Sequence, residues 1–114
     1  MKLSNCEEVP AHDLMLPGAK GVTVRVLIGA EDAPGFIMML LEVSPGGFTP
    51  DHSHEWEEEI FIKSGRAAVK TDEGERPLRV GDALLFDPNT AHQFINTSDQ
   101  PLQFLCLIPK REAQ

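Results

Sequence analysis

His52-Ser53-His54-Glu55-Trp56-Glu57-Glu58, joined by His92 further along the chain, is the stretch on which the reading of this 114-residue sequence turns. Side chains on an extended strand alternate with a period of two, so His52 and His54 point to one face. Glu58 returns to that face once the chain has rounded a short bend, and His92 closes the set from a separate strand. Three imidazoles and one carboxylate suit a first-row divalent metal, histidine being the commonest protein ligand. His52-Ser53-His54 alone would read as two solvated loop histidines; the addition of Glu58 and His92 makes the four a metal site.

Working outward, helix signals are nearly absent. Nine glycines and nine prolines punctuate short apolar or alternating runs, the pattern of an all-β sandwich or barrel. The expected strands are Val22–Ile28, Phe36–Val43, Glu58–Ile62, Ala67–Thr71, Ala83–Phe86, His92–Asn96 and Leu102–Ile108. Turns are expected at residues 31–35, 44–47, 72–75, 87–89 and 97–101, where Gly, Pro, Asn, Asp and Ser cluster. Residues 1–20, with prolines at 10 and 17, read as an N-terminal arm that wraps the barrel or a neighbour. The barrel proper is assigned to 21–114.

Strand parity sorts inside from outside. With Glu58 inward, Ile60 and Ile62 follow it, while Glu57, Glu59, Phe61 and Lys63 face out. Phe94 and Asn96 share the side of His92, and Phe104, Cys106 and Ile108 turn inward on the last strand. The expected pocket is therefore lined by Ile60, Ile62, Phe94, Phe104 and Cys106 and favours a small apolar or aromatic ligand. Trp56 reads as a packing residue at the barrel rim. Cys106 reads either as a small inert hydrophobe or as a thiol near enough to the metal to be oxidised by peroxide. The catalytic residues are not assigned.

Composition sets outer bounds. The chain is the size of one domain, and its net charge of -8, from 18 acidic and 10 basic residues, argues against nucleic acid or an anionic membrane as partner. No apolar run approaches the length of a membrane span, and the N-terminus turns acidic where a signal peptide would be apolar. Two cysteines, Cys6 and Cys106, make no disulfide framework, and a cytoplasmic setting is expected. Phe36-Ile37-Met38-Met39-Leu40-Leu41 is apolar at both parities, which predicts a strand covered on both faces and a homodimer.

The spacing of these residues resembles the cupin superfamily. Gly46, then His52-Ser53-His54, Glu58 and Gly65, is similar to the first cupin motif. Gly81, then Asp87-Pro88-Asn89-Thr90-Ala91-His92 and Asn96, is similar to the second. Asp87 stands where that motif usually has proline and Asn89 where it has glycine; asparagine tolerates the left-handed conformation, so the turn can survive. The resemblance implies a double-stranded β-helix, or jelly-roll, barrel. Arg25-Val26-Leu27-Ile28-Gly29, Asp32-Ala33-Pro34 and Phe104-Leu105-Cys106-Leu107-Ile108-Pro109-Lys110 further resemble small one-domain manganese cupins of hyperthermophile type. Those carry a four-histidine site, from which Glu58 departs.

This likeness implies one divalent transition metal per chain, manganese first, with iron, nickel or zinc as alternatives. It also implies a Mn- or Fe-dependent, dioxygenase-like oxidoreductase. Two other readings stay open. One is a non-redox isomerase or hydrolase using zinc or nickel as Lewis acid, with Glu58 leaving the metal to act as base. The other is a small-ligand-binding cupin without turnover.

Overall fold

The computed structural model describes residues 1–111, so the last three positions of the expected barrel lie outside the described residues. After one 3-10 turn at Cys6–Glu8 come nine strands: β1 His12–Asp13, β2 Lys20–Ile28, β3 Phe36–Phe48, β4 Glu58–Ser64, β5 Ala67–Thr71, β6 Gly74–Leu78, β7 Ala83–Phe86, β8 His92–Ile95 and β9 Leu102–Pro109. They form one sheet in the order β6-β5-β8-β3-β9-β4-β7, with β2 along β3 and β1 on β2, and every pairing is antiparallel. The sheet curls around one core as an all-β jelly roll.

The seven expected strands are present, and β1 and β6 are additional. The cluster Ser44-Pro45-Gly46-Gly47 does not reverse the chain as expected: it lies inside β3, which runs on to Phe48. Two glycines allow this. Gly46 sits at φ 80°, and a Cβ on Gly47 would come within 2.5 Å of the Lys20 carbonyl oxygen. The pair therefore makes an irregularity in register between Lys20 and Val22, where other residues would force the strands apart. Asn89 adopts φ 67° and is the one described residue other than glycine in the left-handed region.

Inward residues follow the strand parity. Ile60, Ile62, Phe94, Phe104 and Cys106 join Val22, Val43, Val69, Leu78, Phe86 and Leu102 in the buried core. Full burial of each large side chain stabilises the fold by roughly 1.5–3 kcal/mol. Asn96, fully buried, spends its polar atoms locally. Its Nδ2 donates to the carbonyls of Val43 at 2.9 Å and Gln100 at 2.8 Å, and its Oδ1 accepts from Ser98 N at 3.0 Å. A buried amide so satisfied ties β3 to the β8–β9 loop at little desolvation cost. Among the described residues no helix is long and apolar enough to cross a membrane.

Candidate metal centre

The two motifs meet through their backbones. His52 and His92 form a bridge in which His92 N donates to His52 O at 2.9 Å and His52 N to His92 O at 3.3 Å. Asn89 N donates to His54 O at 2.6 Å, so the left-handed turn of the second motif is fastened to a histidine of the first. As a result, ligand atoms of His52, His54 and His92 lie within 4.8 Å of one another.

Two of these imidazoles are held in one tautomer and one plane. His54 Nδ1 donates to the Trp56 carbonyl at 2.8 Å, and the Trp56 indole stacks on the same ring at 4.2 Å and 9°. His92 Nδ1 donates to the Thr90 carbonyl at 2.8 Å, and Phe86 stacks on its ring at 4.2 Å and 7°. Arg111 lies over the outer face of Trp56, 3.2 Å from the ring centre. With each Nδ1 committed as donor, each Nε2 presents a lone pair to the site, the arrangement by which ligand histidines are oriented.

Both Nε2 atoms face Glu58. Oε1 stands 2.5 Å from His54 Nε2 and 3.7 Å from His92 Nε2, while Oε2 accepts from the Cys106 thiol at 3.5 Å. Two neutral nitrogen lone pairs against a carboxylate repel unless a cation or a proton sits among them. Without a metal, a proton on His92 would relieve this repulsion, in line with the opposed shifts of that imidazole and Glu58. Burial alone would raise the Glu58 carboxyl, but the attraction of His92 and then His54 outweighs it and holds the group below its ordinary 4.5. Burial likewise works against a charged His92, yet Glu58 and the Thr90 carbonyl outweigh it and raise this imidazole above 6.5. His52 goes the other way: burial first, then its two histidine neighbours, push it below 6.5. Cys106 is driven far above the ordinary thiol value by burial and by the Glu58 charge, so it is a neutral Sγ–H donor. A divalent cation in place of the proton satisfies every donor at once, so the residues fit such a metal.

Above the histidines lies a cavity of about 150 Å³. Phe94, Phe104 and Cys106 line it, together with His52, Glu58 and His92. Ile60 and Ile62 do not: they face inward, at 3% and 0% exposure, but pack into the core away from the cavity wall. The remaining wall comes from Leu14 and Leu16 of the arm, Val24 of β2, Met39 and Leu41 of β3, and Thr49 and Pro50 after it. The sequence reading missed these seven. Alternation along β2 and β3 could have found Val24, Met39 and Leu41, whereas no periodicity marks the arm. Glu57 and Glu59 are exposed and lie on the other side of β4 from Glu58.

Comparison with known proteins places this geometry. A family model for the cupin domain matches residues 39–108. The polyketide cyclase RemF from Streptomyces resistomycificus is 35% identical, with a TM-score of 0.93 over 97% of this chain and 80% of that one. A sugar phosphate isomerase of the cupin superfamily from Silicibacter pomeroyi is 22% identical, at TM-score 0.86 over 96% of this chain and 76% of that one. A protein from Thermotoga maritima described as a predicted oxalate decarboxylase is 24% identical, at TM-score 0.85 over 96% of this chain and 100% of that one. The last two share the fold. A search of the curated proteins finds no match.

Proposed function

The chain belongs to the cupin family, and we propose on that footing that it is a metal-dependent enzyme acting on a small apolar or aromatic carbonyl or enol compound. One divalent ion would be held by His52, His54, Glu58 and His92. The observation that carries this reading is the pair of Nε2 atoms, each fixed by a carbonyl behind it, converging on one carboxylate oxygen under an apolar cavity. When bound, such an ion supplies polarisation of a substrate oxygen and, as manganese or iron, electron exchange with dioxygen. The chain's own residues do the rest. Phe94, Phe104, Met39 and Leu41 exclude water and bury an apolar ring, and the histidine cluster at the floor sets where a substrate oxygen must lie.

Two chemistries fit this site, each favoured by a different observation. Likeness to a polyketide cyclase along nearly the whole chain supports non-redox chemistry at an enolisable carbonyl. Glu58, the one carboxylate in the described cavity wall, would then leave the ion, held meanwhile by the three histidines, and take the proton alpha to that carbonyl. The donor set of three imidazoles and one carboxylate supports the Mn or Fe oxidoreductase. Phenylacetone, a one-ring enolisable ketone, separates them. Exchange of its alpha protons in deuterium oxide under nitrogen by the zinc-loaded protein favours the first. Dioxygen uptake by the manganese- or iron-loaded protein with the same compound favours the second. Binding with neither reduces the protein to a small-ligand-binding cupin.

The same reading includes a homodimer. The outer side of β3, β9, β4 and β7 carries Phe36, Phe61 and Leu85 at 62%, 45% and 58% exposure. Leu105 lies beside Phe61 and Leu107 beside Glu59 on that side. Exposed apolar side chains grouped on one face around Glu59 support an interface here, and a two-fold pair would cover them. Light scattering should give about twice the 12.6 kDa of one chain; a monomer at micromolar concentration rejects the dimer.

A further inference from the structure

We propose that Leu14 and Leu16 of the N-terminal arm are specificity-determining residues that limit the cavity to ligands of a single six-membered ring. The proposal rests on the function above and adds its upper size limit. Among the described residues, every other contributor to the cavity wall belongs to a barrel strand or to the segment between β3 and β4 that carries the histidines. Leu14 and Leu16 come instead from the loop between β1 and β2, and they are the wall that can change without disturbing the metal ligands.

Their placement is built, not incidental. His12 and Asp13 pair with Val24 and Thr23 of β2, and Leu14 N continues the ladder to Val22 O at 2.9 Å. Alternation then turns Leu14 onto the core, where it packs half-buried, and leaves Met15 86% exposed. Leu16-Pro17-Gly18-Ala19 follows as a tight turn. Ala19 N donates to Leu16 O at 3.2 Å with Gly18 at φ 84°, the pattern of a type II turn with proline first and glycine second. At Gly18 the turn lies against Pro50, itself a wall residue, 3.8 Å from where a Cβ would stand. The arm thus presents Leu16 across the cavity mouth on a fixed backbone, half of that side chain remaining in solvent at 47% exposure.

Size decides the consequence. A cavity of about 150 Å³ matches the volume that holds one benzene ring in an engineered protein interior. A second fused ring must either displace the two leucines or stay outside. Truncating both to alanine removes the obstacle and leaves His52, His54, Glu58 and His92 untouched.

The test uses the full-length protein loaded with zinc and titrated calorimetrically with phenol and with 2-naphthol. The wild-type protein is expected to bind phenol and to discriminate against 2-naphthol. Leu14→Ala with Leu16→Ala should improve 2-naphthol binding by roughly tenfold or more relative to phenol, within the range that differences of a methylene or more produce in apolar pockets. Metal content should stay the same. Leu16→Met, which conserves volume, should keep the wild-type ratio, and Met15→Ala serves as the exposed control. A wild-type protein that binds 2-naphthol as well as phenol overturns the proposal, as does an unchanged ratio in a doubly truncated protein that still carries its zinc. If neither compound binds either protein, the apolar-substrate reading falls and the size filter falls with it. If phenol binds but the ratio does not move, the size filter alone is rejected.

Discussion

His54 and His92 are each gripped twice, by a carbonyl on Nδ1 and by an aromatic ring on the imidazole face. His52 has neither support. Among the described residues its ring has no hydrogen-bond partner, and it meets the other two edge-on at 5.4 and 5.2 Å. The two gripped histidines come from different motifs yet are held by the same device, a carbonyl two residues away in sequence and a flat ring across the imidazole. Preorganisation is therefore concentrated on the two imidazoles that face Glu58. The third imidazole, at the cavity wall, carries neither restraint.

Ligand truncation gives the widest separation between the two kinds of histidine. His92→Ala should release most of the bound metal and His54→Ala should do the same, because each also removes a partner of Glu58. His52→Ala should weaken binding while leaving a measurable fraction loaded. Elemental analysis of dialysed protein reads this out; equal losses for all three would erase the distinction. Loss of the grip without loss of the ligand is a smaller perturbation. Trp56→Leu removes the plate on His54 but not the carbonyl, and should weaken metal affinity by about tenfold, the lower end for groups that orient ligands. An affinity unchanged in competition with a chelator would show that the stacking is packing alone.

The gentlest probe is the proton. In metal-free protein, NMR titration should place the His92 midpoint above 6.5 and that of His52 below 6.5. His92, raised, stabilises the metal-free fold fully below 6.5, and that contribution is lost as pH rises through its folded value. His52, lowered, does the opposite: its contribution is present above 6.5 and is lost as pH falls through its folded value. Because metal needs neutral imidazoles, affinity should fall as pH is lowered through this window, with His92 taking its proton first. Midpoints in the reverse order would contradict the environments assigned to the two rings.

The same contrast explains what could be read from the residues alone. A period of two fixes which face of a strand a side chain occupies, so the inward placement of Ile60, Ile62, Phe94, Phe104 and Cys106 was legible. It does not fix height along the barrel, and Ile60 and Ile62 consequently lie in the core rather than at the cavity. Asn89 could be assigned to a left-handed turn from its own chemistry. Ser44–Gly47 could not be recognised as continuing strand, because the reason is a neighbour: the Lys20 carbonyl that leaves room for no Cβ at Gly47. The arm was legible as irregular, but its two leucines reach the site through pairing with β2, a contact between distant segments that no local pattern reports. The plates on His54 and His92 were hidden for the same reason, since Phe86 and His92 meet only after β7 and β8 are folded, and Trp56 carried no sign of its target.

One divalent ion is expected on Nε2 of His54 and His92, a ring nitrogen of His52 and the Glu58 carboxylate. A crystal structure of metal-loaded protein, with the ion located by its anomalous scattering, is the deciding measurement. One ion per chain is expected, with these three nitrogens and a Glu58 oxygen at about 2.0–2.3 Å and with both Nδ1 donors still on the carbonyls of Trp56 and Thr90. An ion bound through Glu57 or Glu59, or through Nδ1 of His54 or His92, would rule out this metal centre, as would an ion located away from the three histidines.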